Sequence, residues 1–222
     1  MLLSSKNKNR MKPTITLLAA LFSLSLSSQN AESKAIMDKA FAGFETSKGI
    51  QLSFKTSSED AEGNTYQPES GTAFIKGNRF KLEMESMHIW FDGITQWVFI
   101  KEANEVNISK PDVQEVAAIS PLALLGMYKN GYVLKAPVSK MINGTPVWQI
   151  EMTPSPGNRD FKVVTASINK KDQTVMQVIL TAVNGMKTQI DISRYNANHQ
   201  FDDTLFRFDK TAHPGVEIVD LR

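Results

Sequence analysis

The sequence predicts an α+β domain: a dominant antiparallel sheet of roughly ten strands with helices over one face. Three observations lead there. Gly77-Asn78, Asp92-Gly93, Asn143-Gly144 and Asn184-Gly185 are dipeptides that reach the positive φ required by short hairpins. Between the first two, Phe80, Leu82 and Met84 alternate with Arg79, Lys81, Glu83 and Glu85, the period of a strand with one wet and one apolar face. Elsewhere the period changes, and apolar residues recur every three or four positions, as on a helix.

The elements follow in order. A helix starting near Ser33 runs to about Ser47, with Ile36, Met37, Ala40, Phe41 and Phe44 as its apolar stripe. From Gly49 the period becomes two: Ile50, Leu52 and Phe54 share a face, and the polar stretch Glu59–Asn64 turns the chain. The strands of Gly71–Ser109 come next. Pro111 interrupts them, and a second helical region follows at 112–128. There Val113, Val116 and Ala117 suit a short helix, and Ser120-Pro121 reads as an N-cap with proline at the first helical position. Leu122, Leu124, Leu125, Met127 and Tyr128 form its stripe, and Asn130-Gly131 stops it. Strands are expected again at Val147–Thr153, Phe161–Ile168, Thr174–Thr181 and Met186–Tyr195. TPSPGN at Thr153–Asn158 reads as a loop, and Asp202–Phe208 as a turn with one last short pairing. No repeat or linker divides the chain.

The N-terminus carries Lys6, Lys8, Arg10 and Lys12, then the apolar run Ile15–Leu26, then Ser27-Ser28-Gln29. Basic start, short apolar middle and small polar exit describe a secretory signal peptide over residues 1–28. Met11 is an alternative start, because MKPTITLLAALFSLSLSS is a complete leader by itself. Cleavage is expected between about Ser27 and Ala31, leaving an exported single domain at 32–222. The leader holds four of the chain's 25 basic residues and none of its 23 acidic ones. Removing it leaves 21 bases against 23 acids, a net charge of −2 rather than +2. No basic cluster survives that would follow a phosphate backbone, so nucleic acid is not an expected partner.

Cysteine is absent. Disulfides, thiol chemistry and cysteine-based metal sites are excluded, and so is the lipidated cysteine that anchors bacterial lipoproteins directly after their leader. His88, His199 and His213 stand far apart in unrelated contexts. His213, beside Pro214, reads as a solvated loop histidine. No metalloprotease, nucleophile-elbow or phosphate-loop motif occurs, so neither an enzyme nor a cofactor or metal site is expected.

The apolar inventory carries more. Phe80/Leu82/Met84 and Trp148/Ile150/Met152 are apolar faces on charged strands, Phe74, Phe91, Trp97 and Phe99 add bulk, and ten methionines supply adaptable packing. Such faces are equally the mark of an ordinary core, and periodicity does not distinguish a filled barrel from a hollow one.

The order of these stretches resembles the LolA family, soluble periplasmic carriers of lipoproteins in Gram-negative bacteria. The likeness rests on the helix with Phe41 and Phe44, GTAFIKGNRFKLEM, and IWFDGITQWVFIKEANEVNIS with its Asp92-Gly93…Trp97 spacing. ISPLALL at 119–125 and the closing FRFDKTAHPGVEIVDL complete it. The resemblance implies an incomplete antiparallel β-barrel, a strongly curved sheet whose open concave face is covered by the helices at 33–47 and 112–128. It implies a hydrophobic cavity for acyl chains, here Phe41, Phe44, Phe54, Phe80, Leu82, Met84, Ile89, Phe91, Trp97, Phe99, Leu122, Leu125, Trp148, Ile150 and Met152. One departure stands out. Family carriers commonly place a lid-holding arginine after the strand matching Gly71–Lys76, where this chain has Gly77. Arg79, two positions on, is the nearest substitute, and Phe80 matches a position near the partner-docking edge.

The implied partners are acylated lipoproteins as cargo, an inner-membrane ABC-type lipoprotein-releasing transporter, an outer-membrane acceptor and transient membrane-surface contact, with the carrier a monomer. Carriage of another lipid or hydrophobic molecule, or a lipid-sensing regulatory module of the same fold, remains the alternative. Asp92 and Gly93 are expected to make a turn rather than to do chemistry.

Overall fold

A computed structural model describes residues 18–112, 115–116, 126–129, 131–155 and 161–222, with side chains from residue 31 onward except at Met127. The helix α1 (Leu18–Glu45) is followed by thirteen strands in one sheet. In chain order these are β1 (Ile50–Glu59), β2 (Glu69–Lys76), β3 (Arg79–Met84), β4 (Met87–Phe91), β5 (Gln96–Ile100) and β6 (Glu105–Ser109). Then come β7 (Tyr132–Leu134), β8 (Val138–Ile142), β9 (Thr145–Pro154), β10 (Phe161–Asn169), β11 (Val175–Ala182), β12 (Lys187–Asn196) and β13 (Glu217–Asp220). Short 3-10 turns η1 (Met127–Lys129), η2 (Asp203–Phe206) and η3 (Lys210–Ala212) complete the described elements.

The sheet runs β13-β6-β5-β4-β3-β2-β1-β12-β11-β10-β9-β7, with β8 beside β7 along the same edge of β9, and it does not close. All neighbours are antiparallel except β13, which lies parallel to β6. That last pairing differs from the expected one: Asp202–Phe208 forms η2 and its flanks, and the final strand comes later, at Glu217–Asp220.

The turns explain the register. Gly77 takes φ 60° between β2 and β3, the first position of a two-residue hairpin loop, while Asn143 and Gly144 at 47° and 77° join β8 to β9. Gly71 is needed for a different reason. A Cβ there would meet the Phe54 ring at 2.6 Å and the Glu83 carbonyl at 2.7 Å, so its absence lets that ring lie across β2.

Residues paired across a ladder share a face. Ile50, Leu52 and Phe54 of β1 therefore continue through Ile75, Ala73 and Gly71 of β2 into Phe80, Leu82 and Met84 of β3. On the other side the face continues through Ile190, Val178 and Ala166 to Ile150. These side chains, with Ile36, Met37, Ala40 and Phe44 of α1, make one buried cluster. The stripe read from the sequence is thus the stripe that packs, and Ser33 begins it by donating to the Lys135 carbonyl at 2.6 Å. At Asp112 and Glu115 reciprocal side-chain-to-backbone hydrogen bonds form a capping box, and 115–116 are helical. Of the expected second helix, residues 117–125, Leu122 and Leu125 included, lie outside the described residues, and its end at Met127–Lys129 is the 3-10 turn η1; of the expected 153–158 loop, Thr153 and Pro154 belong to β9 and 156–158 lie outside the described residues.

The sheet is strongly bent. One cavity is lined both by Ile89 of β4 and by Phe161 of β10, six strands apart in the order. In a flat sheet, strands about 4.8 Å apart would separate those two by roughly 29 Å.

The opposite face has a core of its own. Trp90, Val106, Ile108, Phe206 and Val216 are buried without belonging to the first cluster. The C-terminal segment from Phe201 to Val216 lies over this face: Phe208 and His213 pack on Trp90 at 5.5 and 5.9 Å, and Phe201 on Phe74 at 5.7 Å.

Candidate functional site

Two apolar cavities open on the inner face. The first, about 560 Å³, lies between the last turns of α1 and the tips of the β2–β3 and β4–β5 hairpins. Phe41 and Phe44 line it from the helix, and Ile75, Phe80 and Phe91 from the sheet. Phe80 and Phe91 are cross-strand partners whose rings sit 5.3 Å apart, which fixes both on this wall. Its rim is polar, with Glu45, Asn78, Arg79 and Asp112. The second, about 410 Å³, is lined by Phe54, Leu82, Met84, Ile89 and residues of β10–β12.

The expected cavity residues therefore divide. Phe41, Phe44, Phe80 and Phe91 border the first space; Phe54, Leu82, Met84 and Ile89 border the second. Trp148, Ile150 and Met152 stand on the same inner face but line neither. Trp97 and Phe99 are corrected outright. They pair with Trp90 and His88, so they point to the opposite face, and Val98 is the inward residue of β5. The sequence signal was available: β4, MHIWF, is apolar on both faces, as strands covered on two sides are. His213 is likewise no free loop histidine. It sits half-buried, 4.9 Å from both Phe99 and Phe208.

Charge around the first rim is organised in two clamps. On the helix side the Tyr128 hydroxyl donates to Asp38 at 2.5 Å, and Lys34 pairs with the other oxygen at 2.7 Å. The Lys34 bond, then the Tyr128 bond, hold the Asp38 carboxyl below the usual range, while burial first and Asp38 second push the Tyr128 phenol up. Lys129 reaches Glu45 at 3.3 Å and lies 3.9 Å over the Phe41 ring, so η1 is fastened to the cavity wall of α1.

On the sheet side Arg79 meets Asp203 at 2.6 Å, and Lys76 holds the same carboxylate at 2.7 Å. Arg79, then Lys76, bring the Asp203 carboxyl down to about 2. Asp92 caps its own turn, accepting from the backbone of Ile94 and Thr95, and faces Arg207 at 3.3 Å. Arg79 is thus on the rim, but its partner is the C-terminal segment rather than a described helix. Among the described residues no group of three or more histidine, aspartate or glutamate side chains could hold a metal. No helix among them is long and apolar enough to cross a membrane.

Among the described residues the chain is thus a bent, open antiparallel sheet with the helix α1 packed into its inner cluster. The family model described as "Outer membrane lipoprotein carrier protein LolA" matches residues 24–183, and the chain belongs to that family. No curated protein matches significantly. Among solved structures, an uncharacterized conserved protein from Thermus thermophilus aligns with TM-score 0.57 at 12% identity, covering 85% of this chain and 99% of its own. A LolA superfamily protein from Nitrosomonas europaea gives 0.44 at 12%, over 80% and 98%. The Mycobacterium tuberculosis lipoprotein LppX gives 0.49 at 15%, over 78% and 100%. Of these three the Thermus likeness alone bears on the argument, and it speaks to the fold. The matched family is one of carriers rather than enzymes.

Proposed function

We propose that the chain is an exported periplasmic carrier that takes the acyl chains of lipoproteins into the first cavity and moves them from inner to outer membrane. The observation that carries this reading is an apolar space of about 560 Å³ walled by Phe41, Phe44, Phe80 and Phe91, in a member of the LolA family. The physical need is plain. Burying each CH₂ is worth ~0.8 kcal/mol, so a chain of about sixteen carbons represents roughly 12 kcal/mol and does not cross an aqueous compartment unsheathed. Aromatic walls bury the chain without directional bonds, so release requires only that the walls part. The polar rim suits the junction between an acyl chain and its attached polypeptide.

An inner-membrane ABC-type transporter would load the cargo, since no nucleotide motif occurs here, and an outer-membrane acceptor would receive it. A photo-crosslinking residue placed at Phe80 tests the reading in cells of the native host. It should capture lipoproteins, and capture should vanish for cargo whose lipidated cysteine is replaced; capture that ignores lipidation would contradict the proposal.

A further inference from the structure

Ser53, Thr72, Glu83 and His88 are cross-strand neighbours in one row over β1–β4. Their parity is opposite to that of the inner Leu52, Ala73, Leu82 and Ile89, so they stand on the outer face. A wide polar groove of about 780 Å³ lies over this row, sharing only Phe54 and Met84 with the second apolar cavity. Its charge is one-sided. Lys55, Lys101 and Arg194 line it, and its one carboxylate, Glu83, is already paired with Lys81 at 2.6 Å. Among the described residues no carboxylate pairs with any of the three cations, and Lys101 donates instead to the Met84 carbonyl at 2.7 Å. Asp191, opposite Lys55 on β12, has both oxygens engaged by Gln177 and Gln189. This excess of cations arises although the residues beyond 28 carry 21 bases against 23 acids. Hydroxyls stand among the cations: Ser53 lies opposite Thr72 and Lys55 opposite Ser70, and none of these three hydroxyls has a partner among the described residues.

The backbone is distorted at Arg194. Between the Ser193–Ser53 and Asn196–Gln51 pairs, Arg194 and Tyr195 together stand opposite Leu52 alone, a β-bulge in which Arg194 takes φ 51°. Strict alternation from the inward Ile192 would turn Arg194 inward and Tyr195 outward. With the extra residue, Tyr195 packs inward on Phe44 at 5.6 Å, and Arg194 lines the outer groove. The local field registers on His88: burial first and the Lys101 charge second push its imidazole below the usual range, against the opposing pull of Glu83. Three cations interleaved with uncommitted hydroxyls match an anion that carries several oxygens and more than one charge, and an arginine fork grips two such oxygens at once. We infer that this outer groove binds a phosphate-class anion, free in solution or as the headgroup of an anionic lipid. The site is separate from the apolar cavities, and it does not rest on the acyl-carrier reading.

The test has two arms. Purified residues 32–222 are titrated with inorganic phosphate at low ionic strength, and separately floated with phosphatidylglycerol vesicles, phosphatidylcholine vesicles serving as the reference without net charge. Binding in the phosphate arm would identify a free anion as sufficient, and binding to phosphatidylglycerol vesicles alone would identify the headgroup; either supports the site. Lys55→Gln combined with Arg194→Gln changes two exposed side chains and should weaken that binding at least tenfold, with thermal melts confirming the fold. Lys140→Gln combined with Lys162→Gln removes the same charge from exposed positions on β8 and β10 and should bind as the parent does. Bound phosphate should also raise the titration midpoint of His88, followed by NMR. Equal losses in the two double variants would mean diffuse attraction and would overturn the site. Phosphate binding that leaves His88 unmoved would put the anion elsewhere, and binding in neither arm would overturn the inference outright.

Discussion

The Arg79 guanidinium lies 2.6 Å from the Asp203 carboxylate, which fastens the rim of the first cavity to the segment covering the other face of the sheet. The two faces are therefore mechanically joined at the β2–β3 turn, where Lys76 adds bonds to Asp203 and to the Phe201 carbonyl.

That junction makes an acid-sensitive contact. The Asp203 carboxyl titrates at about 2 in the folded chain, against ~3.9 for an unperturbed aspartate. The folded state binds this proton more weakly than the unfolded state does. The contribution is thus complete above about pH 4 and disappears as pH falls toward 2. Asp203→Asn should raise amide hydrogen exchange across residues 201–216 at neutral pH and flatten its acid dependence. Exchange identical to wild type at both pH values would show that the pair holds nothing.

Trp90 is 4% exposed beneath Phe208 and His213, in the outer core. Trp90→Ala should cost ~3–5 kcal/mol, as large-to-small core changes do. Denaturant melts should register that loss, while alkyl binding by the folded fraction stays intact because Trp90 borders neither cavity. Loss of binding at unchanged stability would place the ligand on the wrong face in this account.

Tyr128→Phe removes one hydrogen bond and little else. Asp38 remains half in water and keeps Lys34, so the change should cost ~1 kcal/mol. In a domain of this size that is a fall in Tm of roughly 2–4 °C. The informative readout is the cavity: with η1 loosened from α1, off-rates for a bound alkyl probe should rise. Unchanged off-rates would detach η1 from any control of the rim.

Much of the architecture was written in short-range pattern. The β9–β12 strands and most hairpin tips fell where alternation and Asn-Gly or Asp-Gly pairs put them, because period-two burial and positive φ are local constraints. Ile36, Met37, Ala40 and Phe44 were legible for the same reason. What escaped was non-local. The parallel return of β13 to β6 links distant segments, and nothing in EIVD specifies its partner. Trp97 and Phe99 added apolar bulk and entered the cavity through the family resemblance, whereas their pairing with Trp90 and His88 turns them to the other face. The division of Phe80 from Leu82 between two cavities depends on how six strands curve, which no window of sequence contains.

The start of the functional chain is open to a direct check. Among the described side chains, buried contacts of α1 begin at Ser33. A protein beginning at Glu32 should therefore melt within about 2 °C of one beginning at Asn30, since surface changes stay within ~0.5 kcal/mol. Mass spectrometry of the exported protein should place its N-terminus between residues 28 and 32. A mature chain retaining the run Ile15–Leu26 would contradict the signal-peptide reading.

The central claim is tested most directly by lipoprotein release. Purified residues 32–222 are incubated with energised spheroplasts of the native host, with newly made lipoproteins followed into the soluble fraction. The account predicts one-to-one complexes of carrier and lipoprotein, dependent on the acylated cysteine of the cargo and reduced at least tenfold by a folded Phe80→Glu variant. No acyl-dependent release by the folded protein, with the host transporter active, would contradict it.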